Sequence, residues 1–283
     1  MRNARVAVTG SNGRLGQYIV RALRKAGYDV IGLDRSSTPD GGAFAHGSIL
    51  DAECLDRAFA GADTIVHTAA LLSRDNPQER IFEVNTHGTW MVFDAATRAG
   101  ARRVVSFSSE CAVGQCFQRT VRPPRYLPID EDHPLEPQDA YSLSKKLGES
   151  IARAFHDAGG PSVVILRPTW VMFPIAPAEV EAHRALEHGD MWCYVAPADV
   201  AAATVAAVTY ETDFDTFFLA APNTLCDEPT LDRLRARWGK LPELRQPEFY
   251  ASDPTAGLYD NRKAREKLGF APTGNWRTLV AST

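Results

Sequence analysis

Tyr141 and Lys145 stand four residues apart in "DAYSLSKKLGES" (139–150), at the predicted start of a helix. Residues at i and i+4 share one helix face, so the ammonium can lie beside the phenol. A phenol of pKa ~10 is a poor base at neutral pH, and a nearby positive charge stabilises its phenolate. Such a pair could take the proton of an alcohol that gives up a hydride. The chain holds six lysines against twenty-five arginines. A compact ammonium with three donors suits this task better than a planar guanidinium. The plainer alternative is a lysine that solvates a helix face. Ser109, which closes the run "RRVVSFSS" (102–109), offers a hydroxyl that could hold the same oxygen.

These side chains need elements to carry them. Runs rich in Val, Ile and Leu, with little alternation, predict strands at 5–10, 28–34, 63–70, 102–109 and 161–168. Helical patterns fall between them near 14–26, 51–60, 79–99 and 140–158. This alternation predicts an α/β fold with a doubly wound parallel sheet (Rossmann) and right-handed crossovers. After residue 170 the pattern loosens into a stretch rich in Pro and aromatics. Helices follow near 197–210, 229–238 and 260–268, with a strand at "TFFLAA". The expected division is a dinucleotide-binding domain over 1–168 and a small substrate lobe over 169–283, with segments that return to the first core. Ser109 then emerges at the carboxyl edge of the sheet, where such folds bind ligands, and Tyr141 and Lys145 stand beside that edge.

The first strand runs into "TGSNGRLG", with Gly10, Gly13 and Gly16 in G-x-x-G-x-x-G spacing. Glycine there permits a tight turn, close approach of the backbone to a pyrophosphate, and close helix–strand packing. The helix that begins in the motif presents free N–H groups to phosphate. Asp34 ends the second strand, where an acid accepts the adenosine ribose hydroxyls and repels a 2′-phosphate. That favours NAD over NADP, although Arg35 beside it could reach a 2′-phosphate.

The bulk properties exclude several classes. A net charge of −4 shows no basic stripe for nucleic acid and no polybasic segment for an anionic membrane. No run of eighteen apolar residues exists, and the first apolar run is too short for a signal peptide. Five scattered cysteines without C-x-x-C, and seven histidines without ligand spacing, predict a reducing compartment and no metal. A cytoplasmic protein is expected.

Taken in order, these motifs resemble the extended short-chain dehydrogenase/reductase family, the NAD-dependent epimerase/dehydratase group. The resemblance rests on "VTGSNGRLG", "IVHTAA", "EVNTHGT", "SFSSECAVG", "DEDHPLEPQDAYSLSKKLGE", "LRPTWV", "ADVAAA" and "DNRKAREKLGFAP", and so covers nearly the whole chain. It implies a catalytic tetrad of Asn85, Ser109, Tyr141 and Lys145. It also implies NAD contacts from Gly10, Asn12, Gly13, Arg14, Leu15, Gly16, Asp34, Arg35, Ser48, Ile49, Thr68, Ala69, Ala70, Asn85, Tyr141, Lys145, Pro168 and Val171. Two positions depart from the family pattern. Ser48 replaces the acid usual before the apolar residue at the adenine pocket, and Val113 replaces the Tyr usual before Gly114.

Only the stretch 169–197 separates "LRP" from "ADV", whereas nucleotide-sugar enzymes of this group carry a longer insertion there. The chain is thus more similar to the short members resembling uronate dehydrogenase. We place Ser73, Ser109, Glu110 and Tyr141 near the substrate, with Arg184 or His183 as a carboxylate contact, although Glu110 would itself repel a carboxylate. The expected activity is hydride transfer between NAD and a secondary alcohol or hemiacetal of a sugar or sugar acid. The alternatives are a nucleotide-sugar epimerase or dehydratase with tightly bound NAD, and a non-catalytic NAD(H) sensor. The complete Ser/Tyr/Lys set argues against the sensor. The resemblance further implies a homodimer through the helices at 79–99 and 140–158; Ile81, Val84, Trp90, Leu147 and Ile151 could serve that seam or equally be ordinary faces packed on the sheet.

Overall fold

The computed structural model describes residues 4–37, 42–72 and 76–280. Seven parallel strands form the central sheet: β1 (Arg5–Thr9), β2 (Asp29–Asp34), β3 (Phe44–His46), β4 (Thr64–His67), β5 (Arg103–Phe107), β7 (Ser162–Pro168) and β10 (Phe214–Leu219). Their spatial order is β10-β7-β5-β4-β1-β2-β3. The order reverses between β1 and β4, which opens a crevice at their carboxyl ends. The five long apolar runs of the sequence are β1, β2, β4, β5 and β7. The short β3 has no comparable apolar run and forms by pairing Phe44–His46 with Gly32–Asp34 at the sheet edge.

Crossover helices cover both faces. They are α1 (Arg14–Lys25), α2 (Ala52–Phe59), α3 (Gln78–Phe82), α4 (Gly88–Arg98) and α5 (Ala140–Asp157). A π-helical turn, Glu83–His87, joins α3 to α4. Ile19, Val20 and Leu23 of α1 pack with Val6, Val8, Val105 and Val164 on one face. Leu55, Phe59, Val92 and Phe93 pack with Ile65, Val104 and Val163 on the other. Both faces of the sheet are therefore buried, which is why its strands read as unbroken apolar runs.

The remaining chain contributes α6 (Pro177–Arg184), α7 (Pro197–Thr209), α8 (Thr230–Trp238), α9 (Pro247–Ser252), α10 (Arg262–Leu268) and α11 (Trp276–Leu279). Two small parallel pairs complete it: β6 (Tyr126–Leu127) with β11 (Glu243–Leu244), and β8 (Trp170–Val171) with β9 (Tyr194–Val195). Residues 197–219 return to the main sheet, where β10 pairs with β7 along its full length and α7 lies against α1. Beyond the sheet, Met172, Trp192, Phe218, Leu225, Leu234 and Tyr259 share a separate core. No helix among the described residues is long and apolar enough to cross a membrane.

Candidate active site

At the end of β1 the chain turns through Gly10 with φ +72°. A Cβ on Gly10 would lie 2.8 Å from the backbone of Ala69, and one on Gly16 would collide with the Gly10 carbonyl. The turn is thus closed to side chains, and Gly13 caps α1 without a side-chain hydrogen bond, so the first N–H groups of the helix face the crevice. Asp34 is held at this turn: its carboxylate accepts from Asn12 N at 3.0 Å and from Ser36 N at 3.1 Å. Asn12 Nδ2 donates to Ser36 O at 2.8 Å. Thr68 Oγ1 donates to Thr9 O at 2.7 Å, which lays Thr68 and Ala69 against the same turn. This glycine cradle beside a fixed carboxylate fits an adenine dinucleotide. Gly10, Asn12–Gly16, Asp34 and Arg35, with Thr68–Ala70, are the residues that would hold it.

Ile49 packs inward. Its side chain is buried in the core, pressed against Gly88, where a Cβ would strike it. Ser48 Oγ accepts from Leu50 N at 3.2 Å and serves the local turn. Pro168 ends β7 opposite Leu219, and Val171 lies half-buried in β8 opposite Val195.

Ser109 follows β5 in extended backbone and caps a single 3-10 turn, Glu110–Val113, through Cys111 N at 3.2 Å. Asp139 caps α5, accepting from Tyr141 N at 2.9 Å and Ser142 N at 3.0 Å. That cap sets the first turn of the helix, so Tyr141 and Lys145 face β5 on one side of α5. Lys145 Nζ donates to Phe107 O at 3.0 Å and lies 5.6 Å from the centre of the Tyr141 ring. Arg167 of β7 clamps the helix from below with a buried bidentate pair to Glu149, at 2.9 and 2.8 Å. The structure therefore brings Ser109, Tyr141 and Lys145 together at the carboxyl edge.

The electrostatics differ from the expectation that Lys145 depresses the Tyr141 pKa. Burial pushes the Tyr141 phenol well above the ordinary tyrosine range, with Cys111 adding to the rise and Ser109 opposing it. Burial also lowers Lys145 to about 8. Desolvation is the largest cause for both groups. At pH 7 the lysine is still an ammonium, and the phenol keeps its proton.

Asn85 sits in the π-helical turn, a feature common at functional sites. Its amide pairs with the Leu71 backbone in both directions, at 2.7 and 3.0 Å, and donates to Ser144 Oγ at 3.1 Å. Ser144 Oγ in turn donates to Tyr141 O at 2.7 Å. Asn85 thus ties the loop after β4 to the first turn of α5. Beneath it runs a chain that sequence reasoning missed. Thr89 Oγ1 donates to Asn85 O at 2.6 Å, so it accepts from His67 Nε2 at 3.0 Å. His67 Nδ1 then accepts from Thr9 Oγ1 at 2.8 Å. The only signal for this chain was the His within "IVHTAA".

Burial, with the charge of Lys145 adding, lowers the His67 pKa to about 3. The unfolded chain protonates this residue below pH ~6.5, so between pH 6.5 and 3 it binds more protons than the folded chain. Stability therefore falls as pH drops through that window, by about 3 kcal/mol at pH 4.5 from this site. A His67→Asn variant is expected to lose about 3 kcal/mol less than wild type between pH 7 and 4.5 in urea melts. Parallel pH slopes for the two proteins would remove His67 from this account.

Beyond Ser109 and Tyr141, the expected substrate contacts have partners of their own. Ser73 lies outside the described residues. Glu110 is buried, and its side chain meets the Trp170 backbone and Tyr259; burial raises its pKa well above the carboxylate range. Arg184 is paired with Glu181 and Asp227 at 3.3 and 3.2 Å and lies over the Trp276 ring. Its guanidinium is thus engaged by residues of the C-terminal part. His183 stacks on Trp170 at 3.6 Å and its Nδ1 donates to Asp190 Oδ2 at 2.7 Å, while His188 Nδ1 donates to Asp190 Oδ1 at 2.7 Å. Sequence spacing did not reveal this convergence of His183, His188 and Asp190.

The sequence profile of the NAD dependent epimerase/dehydratase family matches residues 6–187. The chain belongs to that family. Its members are enzymes built on NAD, and the glycine cradle with Asp34 is the part of this chain whose shape fits that cofactor. Within the family, the chain is 32% identical over 175 residues to an L-arabinose 1-dehydrogenase (NAD(P)(+)) of Haloferax volcanii, covering 60% of this chain and 68% of the relative. It is 26% identical over 307 residues to a UDP-glucose 4-epimerase of Streptomyces lividans, covering 94% and 91%. With other relatives it spans only 51–54% of their length. A crystal structure of a short-chain dehydrogenase/reductase superfamily protein from Agrobacterium tumefaciens with bound NAD superposes with a TM-score of 0.74. It is 26% identical and covers 98% of this chain and 94% of that one.

Proposed function

We propose that this chain is an NAD-dependent dehydrogenase that oxidises a secondary alcohol or hemiacetal of a sugar or sugar acid and releases NADH. The gathering of Ser109, Tyr141 and Lys145 at the carboxyl edge beside the glycine cradle carries this reading. Bound NAD supplies the hydride acceptor. Ser109 holds the reacting oxygen, Tyr141 takes its proton, and the Lys145 ammonium stabilises the phenolate that proton transfer requires. Asn85 acts as a positioning residue through Leu71 and Ser144. The 32% identity to an L-arabinose 1-dehydrogenase supports a free sugar as substrate. Asp34 favours NAD over NADP.

The near full-length match to a UDP-glucose 4-epimerase favours a second reading, in which NAD is reduced and reoxidised within one turnover. Denaturing the purified protein and quantifying released NAD separates the two. The dehydrogenase reading expects an exchangeable cofactor, found well below one per chain, and NADH formed from L-arabinose or a uronic acid. Near-stoichiometric NAD without NADH formation would overturn it in favour of the epimerase.

A homodimer in the cytoplasm completes the proposal. Ile81 and Val84 are buried within the chain itself and so are not available to a seam. Phe82, Trp90 and Leu143, on α3, α4 and α5, are the exposed apolar side chains that support pairing through these helices.

A further inference from the structure

Among the described residues, three that are not glycine adopt left-handed backbone: Phe117 (φ 51°), Met191 (φ 51°) and Trp192 (φ 62°). Bulky side chains disfavour this conformation, and residues held in it cluster at functional sites. All three meet in one place. A Cβ on Gly189 would lie 3.6 Å from Phe117 N and 3.9 Å from Cys116 Cα, so the turn bearing Met191 and Trp192 is laid directly on the turn bearing Phe117.

The two turns hold their strain for different reasons. Met191 and Trp192 are fully buried, and Trp192 Nε1 donates to Ala185 O at 2.9 Å. Core packing offsets their backbone. Phe117 is 49% exposed, so burial does not explain a strained aromatic there. Its ring instead stands perpendicular to the Tyr141 ring, with centroids 6.4 Å apart. The turn is also fastened. Gln118 Nε2 donates to Gly114 O at 3.0 Å and Arg122 O at 2.9 Å. Arg119 N and Thr120 N donate to Gln138 Oε1 at 3.1 and 2.9 Å, one residue before the Asp139 cap of α5. Phe117 is thus an exposed, rigid ring tied to the helix that carries Tyr141.

We propose that Phe117 determines specificity by giving the substrate a stacking platform: its open face takes the apolar C–H face of a sugar ring whose hydroxyl reaches Tyr141 and Ser109. This rests on the dehydrogenase reading above and adds the substrate's mode of presentation. The thiol of Cys116 beside it is buried and, by hydrogen bonding to Cys111 and by burial, kept neutral.

The test compares wild type with F117A, F117W and F117G, using L-arabinose and NAD. F117A is expected to raise KM about ten-fold, the effect of exposing one apolar sugar face. Its kcat should fall less than about three-fold, and F117W should recover most of the KM. A KM unchanged in F117A overturns the platform. F117G should melt about 2–4 °C above F117A, because glycine alone relieves the left-handed backbone. Equal melting would show that no strain is stored there and would also overturn it. If wild type carries near-stoichiometric NAD and forms no NADH from L-arabinose or a uronic acid, the dehydrogenase reading has failed, and Phe117 is then probed by titrating UDP-glucose into NAD-loaded protein. A ten-fold weaker isotherm for F117A supports the platform; identical isotherms overturn it.

Discussion

Tyr141→Phe is expected to lower NADH formation by about 10³-fold while leaving NAD affinity and melting temperature close to wild type. The substitution keeps the ring that meets Phe117 and removes only the hydroxyl. No neighbouring group replaces it. Lys145 Nζ is directed at Phe107 O, and Ser109 Oγ accepts from Cys111 N, so neither is placed as a base in the same position. Burial holds the phenol in its protonated form, so its proton leaves only when substrate and cofactor change the local charge. A steady-state assay with L-arabinose and NAD checks this, alongside calorimetric titration of NAD. A kcat within ten-fold of wild type would show that Tyr141 is not the proton acceptor.

The second large effect belongs to Gly16. A Cβ there meets the Gly10 carbonyl oxygen, the Gly10 carbonyl carbon at 2.9 Å and the Ser11 carbonyl carbon at 3.0 Å. All three are backbone atoms of the turn between β1 and α1, so no flexible side chain can move aside. Gly16→Ala must push α1 off the turn, and NAD affinity is expected to fall by more than about 100-fold with a stability loss of about 1–3 kcal/mol. Gly148→Ala is the internal control. Its Cβ would meet only Thr89 Cγ2, at 3.8 Å, on a helix where alanine is preferred. NAD titrations of both variants decide the matter, and native affinity in Gly16→Ala would place the pyrophosphate elsewhere.

Much of this site was legible because it depends on short-range pattern. Gly10, Gly13 and Gly16 lie within one turn, and their role follows from the space that a turn and a helix start leave around the backbone. Tyr141 and Lys145 are joined by helix periodicity. Ser109 follows from a strand ending. Asp139, which sets the helix register through two N–H bonds, sits immediately before the pair it positions. By contrast, Arg184 looked available in sequence because its partner Asp227 lies 43 residues away. Nothing in "GSIL" announces that Gly88 presses against Ile49.

The sequence by itself determined the Rossmann sheet, the glycine turn after β1 and the shared helix face of Tyr141 and Lys145, since each is written in local periodicity and residue type. Only the tertiary structure decided how those groups are charged and what surrounds them. Desolvation, which no spacing encodes, raises Tyr141 and lowers Lys145. Long-range contacts join His67 to Thr9 and Thr89, and Asn85 to Ser144, across separations of 22 to 59 residues. The left-handed backbone of Phe117 is likewise imposed from outside, by the Gly189 turn packed against it and by Gln138 holding its neighbours. A local sequence disfavours that conformation, and only packing from distant segments can sustain it.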